Sequence, residues 1–331
     1  MTTVWADGFD SADINDLTYD YTLTGGSWSK VTGRRGAGTY AVQSTKGFYH
    51  VLPSPTNTVF MSFALKRISG TTTTFLSVKE TGSNDHITVQ ITATGLVFYS
   101  DSSLRGSASF AYTNGNWIWL QFKFVVDNSA GSIECRDASG NVLVNLTGID
   151  TRSGGPLGVV GVVTLGDINN SDPIAFDDFH VWNTTGSVCN TWTNDSRVDH
   201  LLPNGAGNST QFTPSSGSNY QCVDDAPINT TDYVSSSTAG HQDLYTFTDL
   251  PHTPVSIFAA VRQSIATKDD SGARSLKNIT RSGTTTVAGS AQTLTLGTWT
   301  SQVDVQETDP NTSAAWTVSG INAAQHGIEN V

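Results

Sequence analysis

The run Trp117-Ile-Trp-Leu-Gln-Phe-Lys-Phe-Val-Val126 constrains the fold more than any other part of this chain. Side chains alternate along a strand, so Ile118, Leu120, Phe122, Phe124 and Val126 share one face. Trp117, Trp119, Gln121 and Lys123 share the other. Asp127-Asn-Ser-Ala-Gly131 then turns the chain into Ser132-Ile-Glu-Cys-Arg136, and Asp137-Ala-Ser-Gly140 turns it again into Asn141-Val-Leu-Val-Asn-Leu146. This is a three-strand meander with glycine at its turns, one strand being apolar enough for the middle of a sheet. A β-sandwich is expected, and most metabolic enzyme folds are disfavoured.

A chain of 331 residues is long enough for two cores. Glycine (31 residues), abundant Thr and Ser, and only 14% charged residues describe short strands joined by polar turns. No long segment carries apolar residues at helical spacing, so the expected class is all-β. The net charge of -12 argues against nucleic acid and anionic membranes as partners, because those ligands call for basic patches. The N-terminus lacks a basic region followed by an apolar core, so no signal peptide is expected. No apolar run approaches the roughly 20 residues of a membrane span. Cys135, Cys189 and Cys222 are odd in number and widely spread, which argues against a disulfide scaffold. Cys189 and Cys222 remain the two that could pair.

Strands are expected at Val4–Phe9, Trp28–Val31, Tyr49–Leu52, Val59–Leu65, Thr74–Val78, His86–Ile91 and Leu96–Tyr99, ahead of the meander. Val159–Val163 and Ile174–Trp182 follow. Such short strands at intervals of eight to twelve residues are the pattern of a sandwich or jelly roll. Residues 184–189, small and polar, read as a linker. Beyond it, residues 201–227 look loop-heavy, with strands expected at Tyr245–Pro251, Val255–Arg262 and Thr293–Leu296. The tail from Trp316 to Ile328 is expected to hold a helical turn or another strand. A second, smaller β-sandwich over 190–331 is the reading.

The opening Trp/Gly/Phe strand, the Trp-led strand, the Asp-x-x-Gly turn at Asp137–Gly140 and the closing Phe176-Asp-Asp-Phe179-His-Val181 resemble concanavalin A-like (laminin-G-like) jelly rolls over residues 1–183. The second half resembles a domain of tailed-bacteriophage virion proteins that follows such a jelly roll. The resemblance lies in Arg197-Val-Asp-His-Leu-Leu-Pro203, Gln211-Phe-Thr-Pro214, Asp232–Gly240, Tyr245-Thr-Phe247, Lys268–Arg274 and Glu307–Trp316. It implies a virion structural component in the minor-tail, fibre or baseplate category, with capsid decoration or a head spike as the alternative. The expected location is the virion, assembled in the host cytoplasm. The partners implied are other virion proteins and further copies of this chain as a homo-oligomer, with a trimer as the guess. Host surface polysaccharide is a further candidate partner, and neither nucleic acid nor membrane insertion is expected.

Glycoside hydrolases on such scaffolds resemble one another in a Glu-x-Asp-x-Glu-type strand that sets carboxylates on one face. Here Glu80, Glu134, Glu307 and Glu329 are the only glutamates, and none lies within four residues of another. Nucleophile-elbow, phosphate-loop and Cys-x-x-Cys patterns are absent, and His50, His86, His180, His200, His241, His252 and His326 lack metal-ligand spacing. The expectation is a protein without catalytic residues; a secreted carbohydrate-active enzyme or lectin stands as the further alternative. No cofactor is expected apart from Ca2+, for which laminin-G-like domains use Asp and backbone oxygens. Its candidate ligands are Asp177 of the closing strand and Asp7 and Asp10, in an acidic loop that also holds Asp13 and Asp16. Asp177 and Asp178 would face opposite ways on a regular strand. The candidate surface for glycan binding, or for contact with a neighbouring loop or subunit, is the face bearing Trp117, Trp119, Gln121 and Lys123. Indole rings stack on sugars, and an amide or ammonium can bond to hydroxyls.

Overall fold

The computed structural model describes residues 3–10, 16–36, 39–82, 84–154, 156–169, 172–186, 188–189 and 192–331. The protein divides into two units, residues 1–198 and 199–331. The break falls after Val198 instead of at 184–189. Residues 192–198, assigned from sequence to the second domain, pack on the first unit through Trp192, Asp195, Ser196 and Val198.

The first unit is built from β1 (Thr3–Asp7), β2 (Thr22–Leu23), β3 (Trp28–Thr32), β4 (Tyr40–Ser44) and β5 (Phe48–Thr56). These are followed by β6 (Thr58–Arg67), β7 (Thr72–Lys79), β8 (Asp85–Thr92), β9 (Gly95–Ser100) and β10 (Ser103–Ser109). The last five are β11 (Ile118–Val125), β12 (Gly131–Asp137), β13 (Val142–Ile149), β14 (Val160–Leu165) and β15 (Ile174–Asn183). Two antiparallel sheets result. One has eight strands in the order β13-β12-β11-β6-β15-β4-β3, with β1 also on β15; the other has seven, in the order β10-β9-β8-β7-β14-β5-β2. The meander expected from sequence is the β11-β12-β13 ribbon, and β11 lies inside its sheet between β6 and β12.

The core between the sheets is aromatic. Phe63 of β6 stacks on Phe122 of β11 with ring centroids 5.6 Å apart, and Phe75, Phe98, Phe176 and Phe179 close around them. All are at most 1% exposed, and each buried phenyl contributes roughly 1.5–3 kcal/mol by transfer alone. The turns have local causes. Asp127 Oδ1 accepts from the Ser129 and Ala130 N–H groups, and Asp137 Oδ1 from those of Ser139 and Asn141. Gly140 takes φ +83°, a conformation that favours glycine. At Gly131 the reason is space, since a Cβ would lie 2.0 Å from Thr151 Oγ1 and 2.7 Å from the Ile149 carbonyl.

The second unit holds β16 (Pro203–Thr210), β17 (Thr213–Pro214), β18 (Val234–Ser235), β19 (Gln242–Phe247) and β20 (Ala260–Ala266). Then come β21 (Ser275–Ser282), β22 (Thr285–Ala288), β23 (Gln292–Thr293), β24 (Thr300–Gln306), α1 (Val318–Ala323) and β25 (Gln325–Asn330). Its main sheet runs β16-β19-β25-β21-β22, with β23 also on β21, and β20-β24 and β17-β18 form separate pairs. The tail supplies both a short helix and a strand. Strand β16, Pro-Asn-Gly-Ala-Gly-Asn-Ser-Thr, falls in the stretch expected to be loop, because it carries no apolar alternation to reveal it.

Two small apolar clusters support this unit, one around Phe212, Leu276 and Leu294 and one around Trp316, Ile321 and Ala324. A polar network completes its interior. Arg262 of β20 pairs with Asp304 of β24 and donates to Thr280 Oγ1 of β21 at 2.6 Å. The Thr280 hydroxyl lies 2.9 Å from His326 Nδ1 of β25, and Asn278 bonds to Ser264 and to the Gln302 carbonyl. No helix among the described residues is long and apolar enough to cross a membrane. The chain is thus all-β, with a jelly-roll sandwich leading a smaller β unit.

Candidate functional site

The face chosen from sequence lies on the outer side of the eight-stranded sheet, where strand pairing generates a grid. Lys123, Phe60 and Trp182 are direct neighbours across β11, β6 and β15; so are Gln121, Ser62 and His180, and so are Trp119, Ala64 and Asp177. This face is not open. Gln121 is 0% and Trp119 5% exposed. Residues 192–198 of the same chain cross it. Ser196 Oγ lies 3.2 Å from Ser62 Oγ. Trp192 sits edge-on to Phe60 at 5.4 Å and beneath the Arg136 guanidinium at 4.3 Å. Ser62 and Arg136 flank Gln121 on either side. At the rim, the Lys66 ammonium is 4.6 Å from the half-buried Trp117 ring, and the Lys123 ammonium is 5.5 Å from the Phe60 ring. The surface proposed for a glycan or a neighbouring subunit is therefore covered by the protein's own backbone.

Beneath this cover Trp119 Nε1, Trp182 Nε1 and both amide atoms of Gln121 are buried without a hydrogen-bond partner. Leaving such a group unmade costs about 1–3 kcal/mol.

The closing Phe176-Asp-Asp-Phe179 motif departs from a regular strand. The β15–β6 register shifts between Asp177 and His180, and Asp178 takes φ +53°. Both carboxylates consequently meet Arg34, instead of facing opposite ways. Asp177 Oδ2 accepts from the Arg34 backbone N–H at 2.8 Å and Asp178 Oδ2 from Arg34 Nε at 2.5 Å. Burial, reinforced by the Asp178 and Asp10 charges, pushes the Asp177 carboxyl up to about 7.

The candidate calcium ligands have protein partners. Asp7 accepts from the Phe9 N–H and the Tyr21 hydroxyl, and burial raises its carboxyl to about 6. Asp10 accepts from the Tyr40 N–H. Among the described residues no group of three or more His, Cys, Asp or Glu side chains is arranged to hold a metal ion. Asp13 lies outside the described residues. Cys189 and Cys222 form no disulfide with one another; both side chains are buried, as is that of Cys135.

The seven-stranded sheet presents the open face. Pairing aligns Tyr49, Thr164, Ser77, Thr88 and Tyr99 in one transverse row over β5, β14, β7, β8 and β9. Thr22 and Leu104 extend it onto the two edge strands. The centre is low: Ser77 and Thr164 are covered by their neighbours, while Tyr49, Thr88 and Tyr99 are half-exposed and Leu104 is 64% exposed. Two tyrosines thus stand about 19 Å apart, four strand spacings, across a floor of hydroxyls. A parallel row adds Thr74 and Gln90, joined by a 3.1 Å hydrogen bond, and Asn169 also donates to Thr74. Tyrosine rings can cover the apolar faces of a polyhydroxylated ring while hydroxyls and amides meet its edges. Sequence reading missed this row. Tyr49 and Tyr99 do fall on the polar positions of alternating strands, but only cross-strand register brings them into line.

No protein-family model matches this chain, and no curated protein matches it. Solved structures do. A carbohydrate esterase of the Shiga toxin-encoding bacteriophage phi24B is 16% identical with a TM-score of 0.39, covering 54% of this chain and 97% of that one. Domain 4 of the arabinanase AbnA from Geobacillus stearothermophilus is 17% identical with a TM-score of 0.36, covering 55% and 92%. A Bacillus subtilis protein with a galectin-like fold is 10% identical with a TM-score of 0.35, covering 55% and 96%. Likenesses at these identities and scores carry no functional weight.

Proposed function

We propose that this chain is a non-enzymatic virion component of a tailed phage that contacts surface polysaccharide through the open face of its first unit. The aligned row Tyr49–Thr164–Ser77–Thr88–Tyr99 carries the glycan half of this reading. The phage-type peptides between Arg197 and Trp316 support the virion half. Three glutamates are engaged structurally, which fits a non-catalytic role. Glu80 accepts from the Leu157 and Gly158 N–H groups, Glu134 pairs with Arg136, and Glu329 bonds to Gln242. Sites of this kind are weak singly and gain from repetition on a particle, for which a homotrimer is the proposed unit.

The test is a polysaccharide array probed with the purified chain, followed by calorimetry on any hit with Tyr49→Ala and Tyr99→Ala. Each substitution is expected to weaken binding about tenfold, the effect of losing roughly 1.4 kcal/mol. Undiminished binding by the double variant would overturn the open-face assignment. Absence of the chain from purified particles by mass spectrometry would overturn the virion role.

A further inference from the structure

Residues 192–198 have no strand partner. They are held to the first unit by Trp192, which packs between the Phe60 ring and the Arg136 guanidinium, and by polar contacts. Arg34 reaches the Asp195 carboxylate and the Ser196 carbonyl, Arg35 reaches the same carbonyl at 3.4 Å, and Asp178 Oδ1 accepts from the Val198 N–H at 2.8 Å. Asn194 is at φ +53°. A segment without ladder hydrogen bonds opens at lower free energy than the strands beneath it.

What they cover is unsatisfied. The closed state leaves three donors without an acceptor: the indole N–H groups of Trp119 and Trp182, and the Gln121 amide NH2. Among the described residues only one acceptor there, Gln121 Oε1, lacks a donor. Beside them stands an aromatic platform, with Trp182 stacked on Phe60 at 5.6 Å and on His180 at 4.5 Å. The Lys123 ammonium lies at its border, as does Arg136, whose guanidinium is paired with Glu134.

We propose that residues 192–198 are a strap over a second saccharide site, and that an acidic sugar displaces the strap to bind Trp119, Gln121 and Trp182. The excess of donors selects a ring rich in acceptors, the platform selects a flat apolar sugar face, and the Lys123 ammonium selects a carboxylate. In the open state the ligand fills hydrogen bonds that the closed state leaves unmade, which is the differential interaction a population shift requires. This site is on the opposite sheet from the open row and does not depend on it.

Ser62 and Ser196 offer a lock, because their hydroxyls are 3.2 Å apart and a disulfide between cysteines there lies within ordinary reach. The experiment follows the indole N–H resonances of Trp119 and Trp182 by NMR, assigned with Trp119→Phe and Trp182→Phe, during titration with sodium glucuronate and with glucose. Binding at the open row leaves those two signals in place. Glucuronate is expected to shift both in the native chain, with glucose at least about tenfold weaker. Oxidised Ser62→Cys/Ser196→Cys should not respond, and dithiothreitol should restore the response. Asp195→Ala, which removes the strap's own carboxylate from Arg34 and leaves the Arg34–Asp178 pair in place, should tighten apparent glucuronate affinity several-fold, by enlarging the competent fraction. Signals unmoved by glucuronate in the native chain, an undiminished response in the locked form, or unchanged affinity in Asp195→Ala would each overturn the strap. Equal affinity for glucose would overturn the acidic-sugar assignment.

Discussion

Arg34 Nε lies 2.5 Å from Asp178 Oδ2, and this buried pair ties the turn after β3 to the bulge in β15. The same guanidinium holds Asp195 and Ser196, so one side chain joins three distant parts of the first unit. Arg34→Ala leaves Asp178 buried without this partner and is expected to destabilise the first unit by roughly 3 kcal/mol. Urea unfolding followed by tryptophan fluorescence checks this. A loss under about 0.5 kcal/mol, the size of an ordinary surface change, would mean the pair is not structural.

Gln121→Leu tests the opposite kind of burial. The amide is 0% exposed and neither of its polar atoms is paired. An apolar side chain of similar volume removes that penalty, so the variant should gain about 1 kcal/mol in the absence of ligand. Thermal unfolding measures it, and a lowered melting temperature would count against the unpaired state of this residue.

Histidines kept neutral inside the protein set the acid limit, among them His86, 0% exposed, whose imidazole burial holds below its ordinary range. Burial lowers His50 to about 4, His180 to about 3 and His326 to about 4, where Arg262 adds to the effect. The unfolded chain takes up these protons near pH 6.5, while the folded chain refuses them until about pH 3 to 4. In that window the unfolded state binds more protons, so these groups lower stability as pH falls. Asp177 and Asp7 act in reverse. Their raised carboxyls keep protons that the unfolded chain has lost, so their contribution falls as pH rises from about 4 to about 7 and about 6. His326→Gln should therefore lose less melting temperature between pH 7 and pH 4.5 than the native chain. An identical loss would remove His326 from the acid response.

The open row makes a geometric prediction beyond simple loss of binding. Tyr49 and Tyr99 lie at opposite ends of it, separated by β14, β7 and β8. Shortening a bound oligosaccharide until it no longer spans about 19 Å should make one of the two substitutions silent while the other still weakens binding. Calorimetry on a length series checks this. Equal sensitivity to both at every length would mean the two rings do not bind one extended chain.

Gly131→Ala should destabilise the first unit by about 1–3 kcal/mol, the usual cost of overpacking. The added methyl meets Thr151 Oγ1 and the Ile149 carbonyl, and the Thr151 hydroxyl cannot swing away without leaving the Val125 carbonyl it donates to at 2.6 Å. Chemical denaturation measures the loss, and a neutral result would mean the β12–β13 connection relaxes freely.

Local chemistry determined a good part of this protein. Alternation from Ile118 to Val126, the Asp127 and Asp137 turns and the scarcity of helical periodicity were sufficient for an all-β sandwich with β11 inside a sheet, because strand faces and turn preferences depend on neighbouring residues. Tertiary structure decided which face is open. Trp119 and Gln121 look like surface residues in an alternating strand, yet a segment some seventy positions later covers them. Tyr49 and Tyr99 become partners only through the register of strands distant in sequence. Asp177 and Asp178 converge on Arg34 because a bulge breaks the strand between them and His180. Burial, register and bulges arise from contacts between remote parts of the chain, and no local pattern of residues encodes them.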